Sequence, residues 1–326
     1  MIYTVLQKKS AAPVILLVLV GIVLWLPYAL NPIMNMQFYD LHPMPLYKPL
    51  LSIFQFNPHI GVLLQFACLG LIIFLLSTIN GQFRLIEKRS SLYIFLGMLF
   101  TAFFPLYQQF NPMMFALLLV LCGLISIFKL YKNERNLQSA YEAGLLFSTA
   151  GLIYVNVYAL TLIIFLGLII LLPFNWRQWI SALFGILTPL IFLFSWLLIF
   201  NQFDSFVEIL QNNTIDAAST VSFSYLHSAF VVLSSLLFIL AFCFVFMGTL
   251  VKKVAIQKYY LILVLLVCFI LACYVVFPWV GVDIFYFAIV PAVFFIGNYL
   301  DNFRRTWFIN LISIVLFALT VAAKFM

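Results

Sequence analysis

The sequence predicts an all-α, polytopic membrane helix bundle of about eleven transmembrane helices with a cytoplasmic N-terminus. Three observations carry that expectation. Of 326 residues, 66% are hydrophobic and 8% charged, with a mean hydropathy of +1.20; soluble domains run at about 45–50% and about 25%. Apolar runs of roughly 20 residues, the length that crosses a bilayer, recur along the chain. Basic residues gather between alternate runs. No soluble interior hides that much apolar surface, and 38 Phe beside 16 basic and 9 acidic residues exclude a disordered chain.

The first run, 12–30, follows Lys8 and Lys9. It is too long for a signal-peptide core, and Trp25, Leu26, Pro27 and Tyr28 make a poor cleavage site, so it reads as an uncleaved span. Further spans fall near 60–79, 91–106, 113–130, 140–155, 158–173, 180–200, 226–250, 259–277, 284–300 and 307–323. Residues 140–173 read either as one long tilted helix or as two short spans turning near Tyr154 to Tyr158. Charge favours the two spans. With them, fourteen of the sixteen basic and four of the nine acidic residues lie inside, a charge of +10. Lys48 and Lys324 lie outside with Asp40, Asp204, Glu208, Asp216 and Asp283, a charge of −3, which restores the total of +7. A single span would split the basic residues between the two sides, against the positive-inside rule. The basic balance is therefore a topology signal, and no nucleic-acid partner is expected.

Aromatics mark the same boundaries: Trp25, Tyr28, Tyr107, Tyr131, Trp176, Trp179, Tyr259, Tyr260, Trp279 and Trp307 sit near span ends. Asn57–Pro58 and Asn111–Pro112 open two spans as an N-cap followed by proline in the first turn. Gly144, Ser148 and Gly151 form a small face suited to close helix packing. Cys68, Cys122, Cys243, Cys268 and Cys273 lie in apolar runs, without metal-ligand spacing, and read as buried small hydrophobes. Nothing divides the chain, so 1–326 is a single membrane domain.

Two external connections are long, 31–58 and 201–225. The first places Asp40, His42 and Lys48 within nine positions, after which Pro49 starts a short helix with Leu50, Ile53 and Phe54 toward the membrane. The second carries Phe203, Phe206, Val207 and Leu210 at helical spacing, the pattern of a helix lying in the interface plane, with Ser205 and Glu208 at capping-box spacing. Asp283 sits in a tight external turn where it caps the tenth span. Glu142 is the one acid near a span interior and is expected to pair with Arg135 or its basic neighbours. Three scattered histidines make no metal signature, and His227 reads as a helix-end residue.

The long connections after spans one and seven, with short links elsewhere, resemble the membrane module of the GT-C glycosyltransferases over about residues 1–225. The resemblance implies a site at the outer leaflet between the two loops and a polyprenyl-phosphate-linked sugar as donor. It also implies an acid soon after span one that activates the acceptor or positions a divalent metal. Asp40, between Phe38–Tyr39 and Leu41–His42, is the position that matches; Leu41 follows it where the family commonly has a second acid nearby, and no other acid lies in 31–58. On physical grounds a lipid phosphate wants a cation or a donor, which makes His42, Lys48 and His59 substrate-binding candidates. The opening residues and Phe-rich spans also look like inner-membrane proteins of Bacteroidota, a likeness that implies a multi-pass inner-membrane location and no activity.

Two other functions stay open. One is a non-catalytic subunit on the same scaffold that binds lipid or a membrane-protein partner, in which Asp40 only pairs with Lys48 or caps a turn. The other is a carrier for a neutral or lipidic solute, with polar side chains at Asn156, Thr161 or Thr188.

Overall fold

The computed structural model describes residues 2–7, 12–30, 38–87, 90–103, 110–133, 135–215, 225–247, 253–277, 280–303 and 305–323. Among them there is helix and no strand. The order is α1 (Ile2–Leu6), α2 (Ala12–Leu30), α3 (Phe38–Leu41), α4 (Lys48–Phe56), α5 (Pro58–Phe83), α6 (Leu92–Phe103), α7 (Pro112–Phe128) and α8 (Leu137–Gly151). There follow α9 (Val157–Leu160), α10 (Leu162–Leu171), α11 (Trp176–Ile199), α12 (Phe203–Ile215), α13 (Tyr225–Met247) and α14 (Val254–Val276). A 3-10 turn at Val282–Ala288 leads into α15 (Ile289–Asn302), and α16 (Thr306–Ala322) ends the order.

Among the described residues five helical segments are long and apolar enough to cross a membrane: Pro58–Phe83, Trp176–Ile199, Tyr225–Met247, Val254–Val276 and Val282–Asn302. Of the six other expected spans, 140–155 falls on Leu137–Gly151, which is not among the shorter apolar helices; the remaining five overlap such helices, down to the 12 residues of Leu92–Phe103. That helix is about 18 Å long. Every residue of it except Ile94 is buried by neighbouring helices. The outer surface has the opposite character. Phe192, Leu198, Val232 and Ile239 are all more than 60% exposed, an apolar girdle that water would not tolerate.

Asparagine caps explain several helix starts. Asn57 accepts from the His59 backbone N–H at 3.1 Å and Asn111 from that of Met114 at 3.1 Å, each with proline in the first turn, as the sequence indicates. Asn136 and Asn175 cap α8 and α11 by the same side-chain bond, without the proline.

Side-chain contacts sort the connections into two ends. At one end Tyr3 N–H donates to Asn310 Oδ1 at 2.9 Å, Ser90 Oγ–H donates to Asp301 Oδ2, and Tyr260 O–H donates to the Leu85 carbonyl at 3.0 Å. Burial, and after it the Asp301 carboxylate, pushes the Tyr3 hydroxyl up to about 12, so it stays neutral. The rings of Phe83, Phe128, Tyr131 and Tyr259 pack edge-on or tilted at this end, and Gln178 Nε2–H reaches the Asn133 carbonyl at 3.3 Å. Arg84, Lys129, Lys132, Arg135, Arg177, Lys253, Lys258 and Arg305 belong to these connections. This is the basic end. At the opposite end lie 40–57, Phe110, the turn 152–156, α12, His227 and Asp283; Lys48 is the one described cation there. This is the loop end. Lys8, Lys9, Lys88, Arg89, Tyr107, Asp216, Lys252, Trp279, Arg304 and Lys324 lie outside the described residues, as does the side chain of Tyr28.

Residues 140–173 fold as a broken helix that turns back. Leu137 pairs with Ser181, Asn133 with Gln178 and Ser148 with Ile186 through hydrogen bonds of 2.8, 3.3 and 2.8 Å, so α8 and α11 run in parallel. Two successive elements can be parallel only if the chain between them returns, which α9 and α10 do after the turn at 152–156. The small face predicted on α8 makes this packing close: a Cβ at Gly144 would lie 2.3 Å from the Ala182 carbonyl oxygen. Gly151 serves the turn itself, since its Cβ would strike the Tyr158 ring at 2.7 Å.

Several local expectations are corrected. Phe54 faces inward: its ring stacks on Phe110 at 4.7 Å and fills the space left by Gly61. Ser205 is not an N-cap. Asn201 adopts a left-handed φ of 51°, so the chain turns early, α12 begins at Phe203, and Ser205 Oγ–H donates back to the Gln202 carbonyl. The buried side of α12 is Phe206 and Asn213, while Phe203 is exposed. Glu142 is held by Gln138 Nε2–H at 2.8 Å and Ser126 Oγ–H at 3.3 Å, hydrogen-bond donors closer to hand than Arg135. All five cysteines are free thiols, but Cys243 and Cys268 sit on the exposed apolar surface, not in the core.

Candidate functional site

The loop end gathers the candidate residues. Asp40 lies in the single turn of α3, half-buried, and its Oδ1 accepts from the Tyr47 hydroxyl at 2.8 Å. Tyr47 is fully buried, and its ring stacks on Phe110 at 6.0 Å. The bond holds the carboxylate in one orientation. The partner is thus a buried tyrosine seven residues on, where the sequence offered Lys48.

His42 joins this segment to α12. Its carbonyl accepts from Asn213 Nδ2 at 2.8 Å, and Asn213, itself buried, also donates to the Ile209 carbonyl at 2.9 Å. Asn212 Nδ2 lies 3.1 Å from His42 Nδ1. An amide NH2 only donates, so in this orientation Nδ1 accepts and the neutral ring carries its proton on Nε2. The two long connections expected to share a face therefore touch, through residues 42 and 212–213. The parts of them at 31–37 and 216–224 lie outside the described residues.

Lys48 and His59 stand apart. Lys48 begins α4 and His59 lies in the first turn of α5, both with exposed side chains, and the structure ties neither to the Asp40–His42 group. Of the four residues proposed from sequence, it brings together Asp40 and His42. His227, at the start of α13, packs edge-on to Phe103 at 5.3 Å, as a helix-end residue would.

A second carboxylate lies at this end. Asp283 is 6% exposed, and its Oδ1 has no hydrogen-bond partner. It is no cap: the turn at Val282–Ala288 starts after Gly281 without a side-chain capping bond. Four residues after Asp283, the Phe287 ring stacks on Tyr154 at 6.1 Å, and the Tyr154 hydroxyl accepts from Asn156 Nδ2 at 2.9 Å. The backbone N–H of Leu46 donates to the Leu152 carbonyl at 3.3 Å, which ties the Asp40–Tyr47 segment to the turn that carries Tyr154 and Asn156. Thr161 and Thr188 do not join this group; their hydroxyls donate to carbonyls of their own turns, those of Tyr158 at 2.6 Å and Phe184 at 2.7 Å.

Sequence reasoning missed Tyr47, Asn212, Asn213 and Tyr154. The one signal for the asparagines was Asn213 falling on the same helical stripe as Phe206 and Ile209, a polar residue on a buried face. Among the described residues no three His, Cys, Asp or Glu side chains gather as metal ligands.

Among its described residues the chain is thus all-helical, with five helices able to span a membrane and a polar junction at one end. No protein-family model, curated protein or solved structure matches it.

Proposed function

We propose that this chain is a GT-C-like glycosyltransferase of an inner membrane that takes a sugar from a polyprenyl-phosphate donor at the outer face. In this reading the chain crosses the membrane about eleven times, the basic end is cytoplasmic and the loop end faces outward. The segregation of eight described cations at one end supports that orientation. One observation carries the functional reading: the hydrogen bonds from Asn212 and Asn213 to His42, which bring the two long connections together beside Asp40.

The chemistry follows from the side chains. Asp40, oriented by Tyr47, takes the proton of an acceptor hydroxyl; the acceptor oxygen bonds to the anomeric carbon, and the bond from that carbon to the phosphate oxygen breaks. The leaving polyprenyl phosphate keeps that electron pair. His42 Nε2–H supplies a donor for the phosphate.

The test is binding of a defined polyprenyl-phosphate sugar to purified wild type and to Asp40→Ala, followed by turnover with candidate acceptors. Retained binding with lost turnover supports the enzyme. Turnover at the wild-type rate in the variant refutes the assignment of Asp40.

The hold of Tyr47 on Asp40 favours a second reading, a non-catalytic subunit on the same scaffold, because an acid bonded within its own segment also serves purely to fold the loop. Failure to bind any donor, with a protein co-purifying, supports that reading. A carrier is the least supported: of its three expected polar positions, one, Asn156, joins a buried polar cluster.

A further inference from the structure

The basic end holds an arrangement that the reading above does not use. Tyr131 follows α7 in a tight turn, and two ammonium groups lie over its ring. Lys132 Nζ is 5.6 Å from the ring centroid and Lys258 Nζ, from α14, is 5.7 Å away. The two distances together cap the separation of the ammoniums at about 11 Å. The electron-rich ring attracts each cation while the two like charges repel, so an anion held near both is favoured.

The surroundings are basic as well. Gln178 bonds to the Asn133 carbonyl and so sets the start of α11, with Arg177, against this turn. Across the segments 129–136, 177 and 253–258 the sequence has Lys129, Lys132, Arg135, Arg177, Lys253 and Lys258 against Glu134; counting Glu142 of α8 too, the corner carries +4. Beside it Phe174 is 81% exposed and Trp176 is 59% exposed. Exposed aromatics at the level of a cation cluster place the corner at the boundary between acyl chains and headgroups. A soluble anion would leave those rings unused, whereas an anionic lipid covers them with its chains.

We propose that Tyr131, Lys132 and Lys258 form the headgroup site of an acidic phospholipid, with its phosphate between the two ammoniums and its chains toward Phe174 and Trp176. The site is independent of any catalytic role at the loop end.

The experiment uses the full chain, purified in neutral detergent, and measures retention of phosphatidylglycerol against phosphatidylcholine by native mass spectrometry. Wild type is expected to prefer phosphatidylglycerol, and the double variant Lys132→Gln, Lys258→Gln to lose about thirtyfold of that preference. The variant Lys132→Arg, Lys258→Arg keeps both charges and is expected to retain it, which separates loss of charge from misfolding. Equal retention of the two lipids by wild type overturns the proposal, as does an undiminished preference in the glutamine variant. Glycerol 3-phosphate bound as tightly as phosphatidylglycerol overturns the lipid assignment in favour of a soluble phosphate.

Discussion

Replacing Gly144 by alanine tests the parallel contact of α8 and α11, which sets where α12 begins. The added methyl would lie 2.3 Å from the Ala182 oxygen and 2.9 Å from the Ile186 nitrogen. Ordinary contact begins near 3.4 Å, so the two backbones must part by about 1 Å; no side chain can rotate away, because both atoms are main chain. Overpacking of this kind costs about 1–3 kcal/mol, and with rigid backbone on both sides the upper figure applies. Alanine returns up to about 1 kcal/mol through helix propensity. The net expectation is a loss of about 2 kcal/mol. Gly70→Ala is the control, since nothing lies within 4 Å of its added Cβ, and it should gain up to about 1 kcal/mol. Unfolding of the purified chain in mixed micelles, titrated with a denaturing detergent, measures both. A Gly144→Ala protein as stable as the Gly70→Ala protein would falsify the close parallel packing, and with it the return of the chain through α9 and α10.

Asn213→Ala removes the donor to both the His42 and Ile209 carbonyls, so it should cost about 1–2 kcal/mol and speed proteolysis within 38–47; unchanged cleavage there would show that the two segments do not depend on each other. Tyr47→Phe removes the bond to the Asp40 carboxylate and should lower stability by about 1.5–3 kcal/mol in thermal unfolding, the range for hydrogen bonds to charged groups. Asp283→Asn should hold or raise stability at neutral pH, because a neutral amide costs less to bury than a carboxylate with an unbonded oxygen; a marked loss would mean that the negative charge itself is needed. Asn111→Ala should cost about 1 kcal/mol, as loss of an N-cap does, read from the same unfolding titration.

Much of this architecture was legible because membrane helices advertise themselves in composition. Charge favoured a return within 140–173, expected near Tyr154 to Tyr158, and the chain turns at 152–156. Asn57 and Asn111 announced two helix starts because a cap is a local bond between near neighbours. What stayed hidden depended on partners distant in sequence. Phe54 reads as lipid-facing until Gly61 and Phe110 make a place for it inside. Asp283 reads as a turn residue because its burial comes from helices far along the chain. The meeting of His42 with Asn212 and Asn213 joins residues about 170 positions apart. Sequence could expect the two loops to border one site, but not name the residues that meet.

The central claim is that these two segments meet on the outer face. Paired cysteines, His42→Cys with Asn212→Cys, introduced into a chain whose five native cysteines are replaced, test it directly in sealed, right-side-out vesicles. Oxidation is expected to link the pair, and a membrane-impermeant thiol reagent added outside is expected to block the link. A pair that fails to link, or that only a reagent on the inner side can block, would contradict the account.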